Sequence, residues 1–244
     1  MPVYNAGSKV TAALQSAIKK FESLVSESFE VIVVDDGSTD NTRAFLNKIK
    51  DGRVTVIGYP VNSGKGAAQI FAFGFAKADT IIFADGDMQA FPSGLRDYID
   101  ALEEADVAIA SKRVPGAKVI TSLKRHFLSI AFNSFVRILL SIPITDTQAG
   151  FKVFRRSALE KVLPLISVKR YAFDVELLVV AKKVCNCSIA ELPANVTLTS
   201  KFRLGNMARM LVDILGIAYR LKLKHWYQNN NGISHEEYSP ILRW

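Results

Sequence analysis

The stretch Val31-Ile-Val-Val-Asp-Asp-Gly-Ser-Thr-Asp-Asn-Thr42 joins a short apolar run to a polar turn that can begin a helix. The run is rich in β-branched residues, as expected for a strand that is covered on both faces. Gly37 permits a tight turn, and the polar residues after it can cap the following helix. Two adjacent acids, Asp35 and Asp36, exceed what capping requires. We therefore predict a buried strand over residues 29–34 with a binding site at its carboxyl end.

The same pattern repeats along the first half of the chain. Apolar runs alternate with stretches that suit helices, an order typical of a mostly parallel sheet covered by helices. Pro2-Val-Tyr4 has the character of a short first strand. The sequence thus predicts an α/β fold with a mostly parallel central sheet flanked by helices. The predicted strands cover residues 29–34, 54–57, 80–84 and 107–110, and the predicted helices cover 7–24, 40–50, 64–77 and 92–104.

The pattern changes after residue 113, although no long linker or internal repeat divides the chain. We predict one domain over residues 1–227, with a first half in 1–113, a specialised second half in 114–227 and a loop-like tail in 228–244. Amphipathic helical elements are expected toward the C-terminus. The predicted elements of the second half are helices over residues 118–142, 157–163, 172–184 and 206–227 and strands over 150–154 and 188–192.

Composition narrows the class of protein. The chain has 244 residues, 49% of them hydrophobic, which is enough for a sizeable core. Its two cysteines are too few for a disulfide framework. The net charge of +8 suits an anionic partner, whether nucleic acid, nucleotide or lipid phosphate. We see no signal peptide and no apolar run of the about 20 residues that a spanning helix needs, so we expect a cytosolic protein or one attached to a membrane surface.

The stretch Asp85-Gly-Asp-Met-Gln89 follows the third of the apolar runs. In parallel sheets, ligands bind beyond the carboxyl ends of the strands. Asp85 and Asp87, with a glycine between them, can converge on one Mg²⁺ or Mn²⁺ ion, and Gln89 can add another oxygen. An isolated Asp-x-Asp pair is a weak signal, but its place beside the first acidic turn strengthens it.

The stretch Asn62-Ser-Gly-Lys-Gly66 opens a predicted helix and resembles a phosphate-binding loop. It lacks the Gly-x-x-x-x-Gly-Lys-[Ser/Thr] pattern, which argues against a P-loop ATPase. A nucleotide contact by Lys65 and a simple helix start with glycines are equal alternatives at this point.

These motifs occur in an order and at a spacing that resemble glycosyltransferase family 2, whose members are inverting enzymes of the GT-A fold. The resemblance covers about residues 1–227. The first-half motifs are Pro2-Val-Tyr-Asn5, Val33-Val-Asp-Asp-Gly-Ser-Thr-Asp-Asn-Thr42, Asn62-Ser-Gly-Lys-Gly66 and Ala84-Asp-Gly-Asp87. The second-half motifs, which resemble the dolichyl-phosphate β-glucosyltransferase branch, are Asp146-Thr-Gln-Ala-Gly-Phe-Lys-Val-Phe154, Tyr171-Ala-Phe-Asp-Val-Glu-Leu-Leu178, Ile189-Ala-Glu-Leu-Pro193 and Ser200-Lys201.

The resemblance implies that the first half, residues 1–113, binds the nucleotide sugar and that the second half, residues 114–227, faces the acceptor and the lipid. Lys112 stands where many relatives carry an arginine, so its neighbour Arg113 is an alternative for the same role. The residues implied for nucleotide-sugar binding are Pro2, Tyr4, Asp35, Asp36, Lys65, Asp85, Gly86, Lys112 and Arg113.

Metal and catalytic residues follow from the same resemblance. Asp87 would be the main metal ligand, with Asp85 and Gln89 beside it and Mg²⁺ or Mn²⁺ as the cofactor. Asp146 and Gln148 would face the sugar and the reacting centre, and together with Asp87 they form the implied catalytic set.

The implied reaction moves glucose or N-acetylglucosamine from a UDP-sugar to dolichyl or another polyprenyl monophosphate, and GDP-mannose is the alternative donor. A phosphate monoester has its second pKa at about 6, so the acceptor is mainly a dianion at pH 7 and needs little help from a general base. It needs cations instead, and we predict Lys124, Arg125, Lys201 and Arg203 for this role.

A polyprenyl acceptor requires a membrane surface, and two basic amphipathic segments suit one. Apolar residues between 127 and 140 fall largely on one side of a predicted helix, next to basic residues. Residues 220–227 combine basic with aromatic side chains, which predicts a membrane contact, whereas the helix before them can equally pack on the sheet. We therefore expect peripheral association with the cytoplasmic face of a membrane.

Two other classes of protein fit parts of the pattern. A sugar nucleotidyltransferase also uses a nucleotide and a metal, but the sequence shows no glycine-rich loop with Arg and Lys after the first strand. A basic, non-catalytic module for nucleotides or RNA would keep its binding after loss of Asp87 and would depend steeply on salt. The sequence has no aromatic-basic recognition motif that demands this class, so we expect no nucleic-acid partner.

Overall fold

The computed structural model describes residues 1–24, 28–86, 92, 94–197 and 204–229. Strands and helices alternate in the first half, as the sequence predicts. The strands are β1 (Pro2–Val3), β2 (Val31–Asp36), β3 (Val54–Tyr59), β4 (Thr80–Phe83), β5 (Val107–Ser111), β6 (Lys118–Ile120), β7 (Lys152–Arg155), β8 (Ile189–Pro193) and β9 (Asn195–Thr197). The helices are α1 (Lys9–Leu24), α2 (Thr42–Leu46), α3 (Lys65–Phe73), α4 (Leu95–Asp100), α5 (Leu123–Leu140), α6 (Arg156–Val162), α7 (Phe173–Lys183), α8 (Leu204–Lys222) and α9 (Trp226–Asn229).

Most strand pairs are parallel. β1, β2 and β3 form a parallel sheet in which Pro2 pairs with Val34 and Val31 pairs with Val54. β4, β7, β5 and β8 form a second sheet in that order, and β7 runs antiparallel to both of its neighbours. The strand directions and the flanking helices confirm the predicted α/β class.

The two sheets meet where β1 ends. An added Cβ on Gly86 would lie 2.2 Å from the carbonyl oxygen of Pro2, so only glycine lets the turn after β4 come this close to β1. Next to this contact, residues of β2 and β4 line an apolar cleft of about 380 Å³. The hydrogen-bond pattern therefore divides the central layer into two sheets, which come into close contact at Pro2 of β1 and Gly86 after β4.

Several boundaries differ from the prediction. β2 extends to Asp36, so the two acids lie at the end of the strand and not in the turn after it. Lys118–Ile120 was expected to start a helix, but it forms β6 and pairs with β9, which the sequence did not predict. The side chains of β6 alternate between exposed and half-buried, which suits a strand, but the pairing partner is distant in the chain and leaves no local signal. The helix begins at Leu123, and α9 covers residues 228 and 229, where a loop was expected.

Helix α7 lies at the centre of the core. Its residues 175–181 are buried without interruption, and they pack with apolar residues of β5, β7, α6 and α8. A helix that is apolar on all sides is typical of such a central position. None of the helices in the described ranges is long and apolar enough to cross a membrane.

The C-terminal helices are fastened to α7 by Glu176. Its fully buried carboxylate accepts a hydrogen bond from Arg220 at 2.8 Å and another from the Tyr227 hydroxyl. Tyr227 and Leu221 are themselves buried in the core. The prediction that residues 220–227 contact a membrane is therefore wrong for Arg220, Leu221 and Tyr227. These residues lie on the side of the helical hairpin, formed by α8 and α9, that packs on α7.

Replacing Tyr227 by Phe removes a hydrogen bond to a buried carboxylate without opening a large cavity. We expect the free energy of unfolding to fall by about 1.5–3 kcal/mol, the range for hydrogen bonds to charged groups. Chemical denaturation measures the change. Tyr219→Phe is the matched control, because Tyr219 is 47% exposed on the other side of α8. Equal losses in the two variants would contradict the buried contact.

Candidate active site

A cavity of about 950 Å³ opens where β1, β2 and β4 end. This volume lies within the range of small-molecule sites. Among the residues predicted for the nucleotide sugar, the cavity is lined by Pro2, Tyr4, Asp36, Lys65, Asp85 and Gly86. Polar or aromatic residues that the prediction did not place there also line it, namely Lys9, Asn62, Arg170, Tyr171 and Asp174.

Asp36 builds one wall of the cavity by holding the loop over residues 61–64. Its carboxylate is only 3% exposed. It accepts hydrogen bonds from the Tyr59 hydroxyl at 2.8 Å, the Ser63 amide at 2.8 Å and the Gly64 amide at 3.0 Å. Burial and the nearby carboxylate raise the pKa of Tyr59, so its hydroxyl stays protonated and donates. Asp36 thus shapes the cavity in addition to lining it.

Asp35 supports the turn after β2. Its buried carboxylate accepts a hydrogen bond from the Ser38 amide at 3.0 Å and lies 3.7 Å from Arg43. The structure therefore places Asp35 beside the cavity wall, where it stabilises the turn, and gives the cavity-lining position to Asp36.

Close packing of α3 on α7 brings Lys65 to the cavity. An added Cβ on Gly66 would lie 2.4 Å from the Phe173 ring, so the absence of a side chain lets the first turns of α3 and α7 pack against each other. The Gly66 amide also donates to the carbonyl of Lys169 at 2.9 Å. This contact sets Lys65 of α3 beside Asp174 of α7.

A chain of alternating charges runs from the cavity into the core. Lys65 Nζ lies 2.6 Å from Asp85 Oδ1 and 2.7 Å from Asp174 Oδ2. Lys152 Nζ lies 2.6 Å from Asp174 Oδ1, and this lysine of β7 is fully buried. Burial opposes the charge of Lys65, but Asp174 and Asp85 raise its pKa above the usual value. Burial likewise opposes the charge of Asp174, but the two lysines hold its pKa far below the usual range.

The sequence prediction did not include Lys152 or Asp174 in the site. A signal was available for Lys152, because a lysine inside the apolar stretch 150–154 needs a partner once it is buried. Asp174 stands in one of the second-half motifs, but only the packing of α3 on α7 shows that it meets Lys65.

Asp85 is the described part of the predicted metal site. Its side chain is 33% exposed, and its carboxylate oxygens suit Mg²⁺ or Mn²⁺. Asp87 and Gln89 lie outside the described residues. Within the described ranges, no three His, Cys, Asp or Glu side chains come close enough to hold a metal ion. Asp85 therefore fits a metal only together with further ligands, such as those predicted.

A second polar cluster surrounds Asp146, which is 1% exposed. Its carboxylate accepts a hydrogen bond from the Lys112 amide at 3.0 Å and lies 2.8 Å from Lys112 Nζ. Burial alone would raise the pKa of Asp146, but Lys112 holds it below the usual range. The Gln148 amide donates to the same carboxylate at 3.1 Å. Asp146, Gln148 and Lys112 thus form one polar cluster, and none of the three is among the residues that line the cavity, so the predicted contact of Asp146 and Gln148 with the sugar stays a prediction.

Glu191 of β8 holds the loop that carries Asp146, a role that the prediction missed. Its carboxylate accepts hydrogen bonds from the Thr145 amide at 2.8 Å and from the Asp146 amide at 3.2 Å. The Thr145 hydroxyl donates to Oε2, the same carboxylate oxygen that accepts from the Asp146 amide. The loop is thereby fixed to the strand next to β5.

Arg113 connects the end of β5 to α5 through side-chain hydrogen bonds. Its guanidinium donates to the Ser129 carbonyl at 2.7 Å and to the Ser129 hydroxyl at 2.9 Å. Two of the predicted acceptor cations, Lys124 and Arg125, lie in the first turn of the same helix, Lys124 exposed and Arg125 half-buried. The other two, Lys201 and Arg203, lie outside the described residues.

The fold has solved counterparts. The chain aligns with glucosyl-3-phosphoglycerate synthase from Mycobacterium tuberculosis, in a complex with Mn²⁺, UDP and glucosyl-3-phosphoglycerate, with a TM-score of 0.62 at 19% identity. The alignment covers 89% of this chain and 76% of that chain. This architecture, with a cavity at the carboxyl ends of parallel strands, defines the GT-A class of glycosyltransferases.

The glycosyl transferase family 2 model matches residues 1–163, and the chain belongs to this family. It is 30% identical over 242 residues to a dolichyl-phosphate beta-glucosyltransferase of Trichomonas vaginalis, covering 93% of this chain and 72% of that protein. It is 32% identical over 184 residues to an undecaprenyl-phosphate mannosyltransferase of Micrococcus luteus, covering 72% of this chain and 74% of that protein. The predicted family and fold are therefore confirmed.

Asp36→Asn tests the wall of the cavity. The change keeps the shape of the side chain but turns one acceptor oxygen into a donor that faces backbone amides. We expect the free energy of unfolding to fall by about 1–3 kcal/mol, because buried donors lose their acceptor. Chemical denaturation measures the loss. Glu104→Gln, at an exposed carboxylate, is the control. Wild-type stability in Asp36→Asn would contradict the assignment.

Proposed function

We propose that this protein is an inverting, metal-dependent hexosyltransferase that moves glucose from UDP-glucose to a dolichyl or other polyprenyl monophosphate for glycan assembly. The observation that carries the proposal is the cavity that unites Asp36, Lys65 and Asp85 at the carboxyl ends of the strands. The similarity over 93% of this chain to a dolichyl-phosphate beta-glucosyltransferase supports the choice of sugar and acceptor.

The cavity offers contacts for each part of a nucleoside diphosphate. Tyr4 and Tyr171 are 48% and 46% exposed on its wall, where an aromatic ring can stack on a base. Lys9, Lys65 and Arg170 provide positive charge for phosphates. The complex of the Mycobacterium tuberculosis synthase with UDP supports UDP as the nucleotide.

Asp85, Asp87 and Gln89 are the residues that would hold Mg²⁺ or Mn²⁺. Such an ion supplies Lewis-acid stabilisation of the diphosphate leaving group. The presence of Mn²⁺ in the complex of the Mycobacterium tuberculosis synthase supports a divalent cation as the cofactor.

Asp146 and Gln148 are proposed to orient the sugar at the reacting centre. The acceptor phosphate brings its own nucleophilic charge, so a strong general base is not required. Asp146 suits this role because Lys112 keeps it ionised and fixed. Its buried charge can then stabilise positive charge at the anomeric carbon, and the half-buried Gln148 is the one of the two residues that can contact sugar hydroxyls.

GDP-mannose is the second candidate donor. The observation that favours it is the 32% identity to an undecaprenyl-phosphate mannosyltransferase. N-acetylglucosamine from its UDP-sugar remains within the proposed class. A donor comparison decides among the three sugars.

Two neighbouring helices present apolar side chains to solvent. On α5, Leu123, Phe127 and Ile138 are 88%, 74% and 78% exposed, and their spacing places them on one side of the helix. On α8, which packs against α5, Val212 and Leu215 are 69% and 54% exposed. Large exposed apolar patches mark interaction surfaces, and basic residues beside them suit anionic headgroups. These features support peripheral association with a membrane, and we propose the cytoplasmic face as its side.

A donor screen tests the reaction. With a short polyprenyl phosphate and Mn²⁺, we expect transfer from UDP-glucose to exceed transfer from other nucleotide sugars, with inversion at the anomeric carbon. A chelator should abolish transfer, and added Mn²⁺ or Mg²⁺ should restore it. Asp87→Ala should abolish metal-supported transfer in a folded protein. No turnover of any UDP- or GDP-sugar, with no nucleotide binding in the presence of metal, would contradict the proposal.

Vesicle sedimentation tests the membrane surface. The double variant Phe127→Ser/Ile138→Ser should bind vesicles that contain anionic phospholipid about tenfold more weakly or worse, because two large apolar side chains no longer enter the interface. Val61→Ser/Phe75→Ser is the matched control, since both residues are exposed and lie outside α5 and α8. Equal binding by the two double variants would exclude α5 as the contact.

A further inference from the structure

We propose that Lys152 and Asp174 are positioning residues that hold the Lys65 ammonium at the cavity, where it exchanges Asp85 for a phosphate oxygen of the nucleotide sugar. The inference rests on the proposed function, because it takes a nucleoside diphosphate as the incoming ligand. It assigns a role to Asp174, whose carboxylate lies at the cavity wall between two lysines, and to Lys152, which is buried behind that wall.

Asp174 divides its two oxygens between two lysines. Oδ1 lies 2.6 Å from Lys152 Nζ, and Oδ2 lies 2.7 Å from Lys65 Nζ. Each lysine thus contacts its own oxygen of Asp174, and Lys65 makes one contact there. Lys65 therefore keeps donor capacity for a further acceptor, since an ammonium group has three N–H donors.

Burial decides which end of this chain of charges is fixed. The side chains of Lys152 and Asp174 are 0% and 14% exposed, whereas those of Lys65 and Asp85 are 27% and 33% exposed. Breaking the buried pair would leave an uncompensated charge in the core, which is strongly unfavourable. Breaking the Lys65–Asp85 contact exposes both groups to water or to a ligand. The contact with Asp85 is thus the one that a phosphate can replace.

The backbone around the pair is equally fixed. Lys152 lies on β7 between β4 and β5, where it is paired with Phe83 and with Ile109. Asp174 lies in the first turn of α7, which packs on the start of α3 through Phe173 and Gly66. Neither group can follow Lys65 outward, so the two together define the position of its ammonium group.

Loss of Lys152 has a predictable effect on this arrangement. In Lys152→Met, Asp174 has both oxygens available to Lys65 and draws its ammonium inward, away from the cavity. The cavity also loses a nearby positive charge. Both effects weaken the binding of a diphosphate, whereas the acceptor side at Asp146 keeps its contacts.

The experiment measures UDP binding by calorimetry with Mn²⁺ and without it, and the donor KM and kcat. For Lys152→Met we expect the UDP dissociation constant and the donor KM to rise about tenfold, the usual weight of one charge-assisted contact, with an unchanged acceptor KM. Lys183→Met is the matched control. Lys183 lies at the other end of α7 and donates to the Leu140 carbonyl, so its loss should leave UDP binding unchanged.

A double-variant cycle separates positioning from a purely structural role. If Lys152 acts through Lys65, then Lys152→Met weakens UDP binding in the wild-type background but not in a Lys65→Met background. Asp174→Asn should show the same dependence on Lys65, so the cycle can be completed with this variant if Lys152→Met does not fold. Equal losses in both backgrounds, or wild-type UDP affinity in folded Lys152→Met, would overturn the positioning role and leave the proposed function standing. If the wild-type protein binds neither UDP nor GDP with Mn²⁺, the proposed function fails and this inference fails with it.

Discussion

The ion pair between Lys65 and Asp174 is the interaction on which the architecture of the site depends. It joins α3, which follows the first-half sheet, to α7, which lies at the centre of the core. The pair forms because Gly66 leaves room for Phe173 and lets the two helices begin in contact. Asp36 contributes from the other side, since it holds the loop that leads into α3. Three separate segments, α3, α7 and the end of β2, thus determine where the Lys65 ammonium group lies.

The first turn of α7 carries two acids with opposite tasks. Asp174 contacts Lys65 at the cavity. Glu176 instead binds Arg220 and Tyr227 from the C-terminal helices. The same short segment therefore anchors the nucleotide pocket and the helical hairpin. Because the buried side of α8 packs against α7, its opposite side remains exposed beside the apolar side of α5. The packing of the core in this way determines which apolar residues remain exposed to solvent.

The parts of the fold that sequence predicts well are those whose signal is local. The alternation of β-branched runs with helical stretches gives the strands of the first half within about two residues. β6 and β9 could not be found in this way, because their pairing joins distant segments of three residues each. The same limit explains Tyr227, whose aromatic ring beside basic residues reads as a membrane anchor until its partner Glu176 is seen.

The candidate site shows the same division. Motif order places Tyr4, Asp36 and Asp85 at one cavity, because the carboxyl ends of parallel strands share an edge. It cannot show which of two neighbouring polar groups turns inward, since successive residues of an extended strand point to opposite faces. Thus Asp36 lines the cavity while Asp35 supports the turn.

The two polar clusters divide the chemistry between them. Around Lys65, two lysines balance two carboxylates. When a ligand separates Lys65 from Asp85, positive charge is in excess at Lys65, so this cluster is suited to receive an anion. Around Asp146, by contrast, Lys112 and the backbone amides already satisfy the carboxylate, which is buried and ionised. A carboxylate held in this way is a poor proton acceptor, because its pKa lies below the usual range. It matches an acceptor that arrives as an anion and needs orientation more than deprotonation.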